Sequence, residues 1–280
     1  MNSKMLLILV PNFLLGMQLN QINTPFEVPA KANHFFSQVT AHHLISTILP
    51  EQELSNQGII TSLVIRPKEN QRMLLPSLHL TRTAIEGDKN NDIPSNKELS
   101  AVMLMRDDVS QALGGKYIPG DNIHVSRLHL GKEHLKDGDL LVIQDSAQQI
   151  ESILLKTYIP HYACWKLLSR CGQTAHDFIN SEAEFENGVY KNEALKTGYI
   201  HGTQHRLRGV CLTALKGGII ETGNTVTIMS GKQKDELLAK YSLVQDYNHW
   251  LEASKEPGAK YERSQKLKAE MRKKARLAKK

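Results

Sequence analysis

Cysteine is scarce in this chain: Cys164, Cys171 and Cys211 are three in 280 residues, an odd number. With no CxxC pair and no Cys/His quartet, the sequence supports neither a disulfide framework nor structural zinc of the usual spacing. A reducing, cytoplasmic setting fits best. Long apolar runs are also missing. The one candidate, Met5 to Met17 in "MNSKMLLILVPNFLLGMQLN", follows Lys4 and is broken by Pro11. It is too short to span a bilayer comfortably and lacks a small-x-small cleavage site. It reads as a signal, a membrane-surface anchor or a dispensable leader.

Most of the chain also lacks an excess of one charge. The net charge is +6, but ten Lys or Arg against two Glu make Ala259 to Lys280 alone +8. The remainder is therefore about −2, and the pI near 9.1 belongs to the tail. A Lys-rich terminus is either a solvated helical end or a phosphate-binding arm, so nucleic acid is a candidate partner through this tail alone. Charged and apolar residues are otherwise in ordinary proportion for a globular protein, and composition names no activity.

Residues 18 to 57 are polar and divided by Pro25, Pro29 and Pro50, with a helix expected near His34 to Ile48. Its histidines, His34, His42 and His43, have no suitably spaced carboxylate and read as surface residues. From Gly58 the pattern changes to short aliphatic and β-branched runs bounded by turn formers. These are "GIITSLVIRP", "QRMLLPSLHLT", "LLVIQ", "QIESILLKTYI", "RGVCLTALK" and "NTVTIMS", which predict strands of a barrel or sandwich. Helices are expected over "ELSAVMLMRDDVSQAL", over "ACWKLLSRCGQTAHDFIN" and from Gln233 to Ser254. Gly217 and Gly218 are expected to make a hairpin turn. The division is a lead-in over 1–57, a barrel over 58–232, and a C-terminal helix with basic tail over 233–280.

Four places could carry chemistry. In "IPHYACWKLLSRCG", Cys164, Leu167, Leu168 and Cys171 share one helical face, the spacing of a buried stripe. Cys164 differs from Cys171 by standing at the helix start, where free N–H groups and the dipole favour a thiolate. In "AIEGDKNN", Gly87-Asp88 permits a sharp turn that Asp88 fixes by an Asx bond or uses to position a bound group, with Lys89 beside it. "PGDNI" and "LKDGDLLVI" are related turns. In "HRLRGVCLTALKGGIIETGNTVTI", Arg206 and Arg208 bracket a strand start, as surface ion pairs or as a receiver of phosphate or carboxylate.

In this order the pieces resemble a MOSC domain, the module named for the C-terminal part of molybdenum cofactor sulfurase. The matching residues are Gly87-Asp88, Gly120-Asp121-Asn122, Leu135-Lys136-Asp137-Gly138-Asp139, Cys164, and Arg208-Gly209-Val210 followed by Gly218 to Asn224. They cover roughly Gly58 to Lys232. The resemblance implies a mostly β, barrel-like fold (α+β in outline) with a few peripheral helices, and makes Cys164 the functional cysteine rather than Cys171 or Cys211. It further implies a pterin-based molybdenum cofactor ligated by Cys164, with Arg206, Arg208, Asp88 and Lys89 as candidates to hold it. The activity implied is reduction of N-hydroxylated small molecules, with electrons from an external redox partner. The alternatives are a persulfide carrier on Cys164 charged by a cysteine desulfurase, and an RNA-associated or scaffold protein using the tail. Asn224 stands where the family has Asp, and Lys89 where Arg or His is common. The pyridoxal phosphate domain of the full sulfurase and a four-cysteine iron–sulfur motif are both absent.

Overall fold

The structure is a computed structural model that describes residues 26–27, 41–68, 71–82, 85–89, 102–115, 121–158, 175, 179, 185–186, 189–190 and 206–255. Short aliphatic and β-branched runs between turn formers become strands because such side chains pack well on a pleated surface. In chain order the elements begin with β1 (Phe26–Glu27), α1 (Ala41–Thr47), a 3-10 turn (Glu51–Glu53), β2 (Gln57–Ile65), β3 (Gln71–Leu75), β4 (Ser77–Leu80), β5 (Val102–Arg106) and α2 (Asp107–Ala112). They continue with β6 (Ile123–Ser126), β7 (Leu140–Gln144), β8 (Ile150–Lys156), β9 (Phe185–Glu186), β10 (Val189–Tyr190), β11 (Val210–Lys216), β12 (Gly218–Glu221) and β13 (Thr225–Met229). Two helices follow, α3 (Gly231–Lys240) and α4 (Val244–Ser254).

Seven strands close into a barrel in the order β2-β13-β7-β8-β11-β5-β6, with β6 pairing back onto β2. All of these pairings are antiparallel except β5 with β6. This is the mostly β barrel with peripheral helices that the resemblance implies. β2 pairs with β13 through Gln57, Gly58 and Ile59, and with β3 through Leu63, Val64 and Ile65. One strand thus belongs to the barrel and carries a short extension at its far end. β4 pairs with β12, and β9 with β10, as separate two-stranded ribbons.

Alternation sorts the side chains into two layers. Leu141, Ile143, Leu154, Leu212, Ala214 and Val226 fill the main core with Ile60, Leu63, Leu104 and Ile123. Their neighbours Leu140, Ile153, Leu155 and Leu215 form a second cluster under Leu238, Leu243, Tyr247, Trp250 and Leu251 of the C-terminal helices and the turn between them. β7, β8 and β11 are therefore buried on both faces, which is why they read as unbroken apolar runs. The helices shield about 1.5–3 kcal/mol of burial for each large aliphatic side chain they cover.

Four expectations require correction. "ELSAVMLMRDDVSQAL" is not one helix among the described residues: Val102–Arg106 is strand β5, and only Asp107–Ala112 is helical. Val102 and Leu104 take barrel positions opposite Leu212 and Val210, so pairing overrides the helical propensity of Leu and Met. The C-terminal helix is two, separated at Tyr241 to Leu243, where Ser242 adopts φ +55 and Leu243 is buried. "QRMLLPSLHLT" divides at Pro76 into β3 and β4. Gly217 and Gly218 do not make a hairpin, because β12 pairs with β4 rather than with β11. They are required for close approach instead: a Cβ on Gly217 would lie 2.2 Å from the Leu80 carbonyl oxygen, and one on Gly218 would lie 2.2 Å from that of Glu151.

Candidate functional site

The turn before β11 is built from an unusual pair of backbone conformations. Arg206 has φ +49 and Gly209 φ +85, and the Gly209 N–H donates to the Arg206 carbonyl at 2.7 Å. A non-glycine residue in that region costs of order 1–3 kcal/mol and persists only where its surroundings hold it. Here the holding contacts belong to the side chain. Arg206 Nη1 donates to the carbonyl of Leu135 and, at 3.4 Å, to that of Leu130, while Nη2 stands 3.6 Å from Asp137 Oδ1. Burial pushes its pKa down, against the attraction of Asp137 and Asp139.

Arg208, two residues later, has a different environment. Its Nη1 donates to both oxygens of Asp121, at 2.7 and 2.6 Å, and both side chains are buried. The neighbouring Asn122 joins a second network. Asp88 Oδ2 accepts from Asn122 Nδ2 at 2.8 Å, from Arg66 Nε at 3.1 Å and from the Arg66 N–H at 3.2 Å. The Asp88 N–H closes the turn onto Ile85 at 3.1 Å, and the Lys89 N–H bonds Arg66 at 2.7 Å while its side chain is exposed. Three widely separated motif pieces, Gly87-Asp88, Asp121-Asn122 and Arg208, are thereby tied together. Asp88 acts as an acceptor that joins the end of β2 to the start of β6.

The turn "LKDGDLLVI" supplies the last piece. Asp139 closes it, with the Lys136 N–H on Oδ2 at 2.7 Å, and burial raises the Asp139 pKa. Asp137 Oδ1 accepts from Lys156 Nζ at 2.8 Å, and Lys156 also donates to the Thr157 carbonyl. Burial pushes the Lys156 pKa down; Asp137 opposes the shift and Arg206 adds to it. Lys156 was not singled out from the sequence, although a lysine closing the apolar strand "ESILLK" is the visible sign of a buried cation. Asn224 keeps its turn without the family's charge, its Oδ1 accepting the Glu221 N–H at 2.8 Å.

Cys164 and Cys171 lie outside the described residues, as do Gly120, His34 and the tail from residue 256. Cys211 lies on β11 opposite Met103 and is buried. Burial pushes its thiol up to about 11, and the nearby cations Arg208 and Lys156 offset only part of this. His43 is exposed, as expected. Among the described residues no helix is long and apolar enough to cross a membrane.

No protein-family model and no curated protein matches the chain. Among solved structures it is similar to the YuaD protein from Bacillus subtilis, at 12% identity over 63% of this chain and 97% of that one, with a TM-score of 0.40. It is also similar to YiiM from Escherichia coli, at 14% identity over 62% and 70% with a TM-score of 0.38, and to YiiM from Geobacillus stearothermophilus, at 10% identity over 67% and 83% with a TM-score of 0.35. The barrel itself is defined by the strand pairings of this chain.

Proposed function

We propose that this chain is a MOSC-domain protein that binds a pterin-based molybdenum cofactor through Cys164 and reduces N-hydroxylated small molecules. The observation carrying the reading is the convergence of the motif pieces: Asp88 with Asn122, Asp121 with Arg208, and Asp137 with Lys156 and Arg206. Cys164 follows Lys156 by only eight residues in the chain.

The described side chains fit a phosphate-bearing ligand in part of the set proposed from sequence. Arg206 fits: main-chain carbonyls take its Nη1, its nearest carboxylate among the described residues is at 3.6 Å, and its side chain is 13% exposed. Lys156 fits poorly, because its side chain is 4% exposed and Asp137 Oδ1, at 2.8 Å, and the Thr157 carbonyl already take its ammonium. Arg208 fits poorly, because a fully buried carboxylate already neutralises it. Asp88 and Lys89 serve the turn through the carboxylate and the main chain. When bound, the cofactor would supply a thiophilic metal able to accept an oxygen atom and exchange two electrons. Arg206 would bind and orient its phosphate, Lys156 would hold Asp137 beside it, and the buried pair Arg208–Asp121 would keep the start of β11 in place. The overall reaction consumes two electrons and two protons per N–OH group and releases water, so an external redox partner is required.

The test is purification from a cofactor-producing host with assay of bound molybdenum and pterin. Both should be present in the parent, the metal should be lost in Cys164→Ser, and pterin should be reduced in Arg206→Met. A parent protein that takes up no molybdenum even on reconstitution overturns the proposal. A one-sulfur adduct on Cys164 after incubation with a cysteine desulfurase would instead favour the persulfide carrier. Cys211, buried and with its thiol at about 11, is unsuited to that carrier role.

A further inference from the structure

Beside the loop that follows β6, potential ligands from three pieces of chain meet. Glu51 opens the 3-10 turn, His129 follows the bridge between Ser55 and Leu128, and His134 lies in the turn that begins at Gly131. Glu51 Oε1 is 2.9 Å from His129 Nε2 and 3.8 Å from His134 Nε2, and all three ligand atoms lie within 4.8 Å of one another. The two imidazoles stack with centroids 3.5 Å apart and planes at 26°. The His129 side chain is only 4% exposed, whereas those of Glu51 and His134 are 51% and 42% exposed, leaving the group open to ions from solvent.

We propose that Glu51, His129 and His134 form a divalent transition-metal site of zinc type, with water completing the coordination. Two imidazoles and one carboxylate suit zinc, whereas calcium and magnesium take mostly oxygen ligands. Two of the three ligands are positioned by main chain in advance. The segment before Glu51 is clamped by the Leu49 N–H on Asp108 Oδ2 at 2.7 Å and by Arg106 Nη2 on the Leu49 carbonyl at 3.0 Å. His129 is fixed by its N–H on the Ser55 carbonyl at 2.8 Å. His134 is the adjustable arm, and it must swing out of the stack for its Nε2 lone pair to converge with the others.

Binding also requires a change of tautomer. The Gly131 N–H donates to His129 Nδ1 at 3.3 Å, so in the metal-free protein the ring proton is on Nε2 and points at Glu51. Ligation through Nε2 moves that proton to Nδ1 and gives up both the long Gly131 bond and the 2.9 Å bond to Glu51, two hydrogen bonds exchanged for three metal bonds. The same loop supplies the Leu130 and Leu135 carbonyls that hold Arg206, so the metal would brace one wall of the candidate cofactor site.

The experiment is a calorimetric titration of chelator-treated, full-length protein with zinc(II), alongside nitrogen NMR of the histidine rings. One site should saturate in the parent. Its affinity should fall in His134→Ala and Glu51→Ala by more than the roughly 10–100-fold typical of losing an outer-shell partner. His129 should change from the Nε2–H to the Nδ1–H tautomer as zinc is added. Unchanged affinity in both variants, or a His129 that stays Nε2–H at zinc saturation, overturns the proposal. So does the absence of any saturable site. Cys164→Ser should bind zinc like the parent, so this test and the molybdenum test fail independently.

Discussion

Cys211 shows how far a side chain's chemistry is set by where the fold puts it. A thiol with an ordinary value of 9.0 is pushed up to about 11 by burial. Between those values the folded chain keeps its proton while the unfolded chain has lost it, so stability falls as pH rises through the window. One such group costs about 1.4 kcal/mol per pH unit. Urea unfolding of Cys211→Ala should therefore show a shallower loss between pH 9 and pH 11 than the parent, and alkylation of the native parent at pH 8 should leave Cys211 unmodified. The buried pair makes a second prediction. Asp121→Ala leaves Arg208 charged without its buried carboxylate and should cost about 3–5 kcal/mol in urea unfolding, whereas Asp121→Leu combined with Arg208→Met should recover most of that loss. Arg206→Met should cost less stability, since its partners are mainly carbonyls and a distant carboxylate.

At the scale of elements, the barrel strands that were legible in the sequence are those bounded by Gly, Pro, Asn or Asp: β2, β7, β8, β11 and β13. The two that were not, β5 and β6, are the parallel neighbours that complete the barrel, with α2 in the connection between them. Parallel strands need such a crossover, and β5 runs into α2 with no residue between them, so strand and helix merged into one apparent helix. β6 is four residues long and follows "GDN", which reads as a turn. Gly209 is the hinge of this arrangement, since its φ of +85 and the Leu104 carbonyl 2.3 Å from a would-be Cβ exclude any larger residue. Gly209→Ala should lower stability by more than about 2 kcal/mol and slow folding, as measured by denaturant chevrons.

At the scale of the whole molecule, α3 and α4 cover the outer face of β7, β8 and β11. A chain ending at Ser230 would leave Leu140, Ile153, Leu155 and Leu215 uncovered, and should precipitate or bind a hydrophobic dye where the full chain does not. Removing only residues 259–280 changes the net charge from +6 to about −2. If the tail is a nucleic-acid arm, retention on an RNA column at low salt should vanish with it. A full chain that is not retained would exclude that role.

The amino-acid sequence by itself determined the mostly β class, the order of the turn motifs, the concentration of basic charge in the tail and the candidate residues. Each of these is written in local pattern: period, punctuation and composition. The tertiary structure decided which cations are spent and which remain, and it alone joined Asp88 to Asn122, Arg208 to Asp121, and Glu51 to His129 and His134. These partners lie 34, 87 and about 80 residues apart in the chain. Closure of the barrel is what brings them within hydrogen-bonding reach, and no local spacing encodes it.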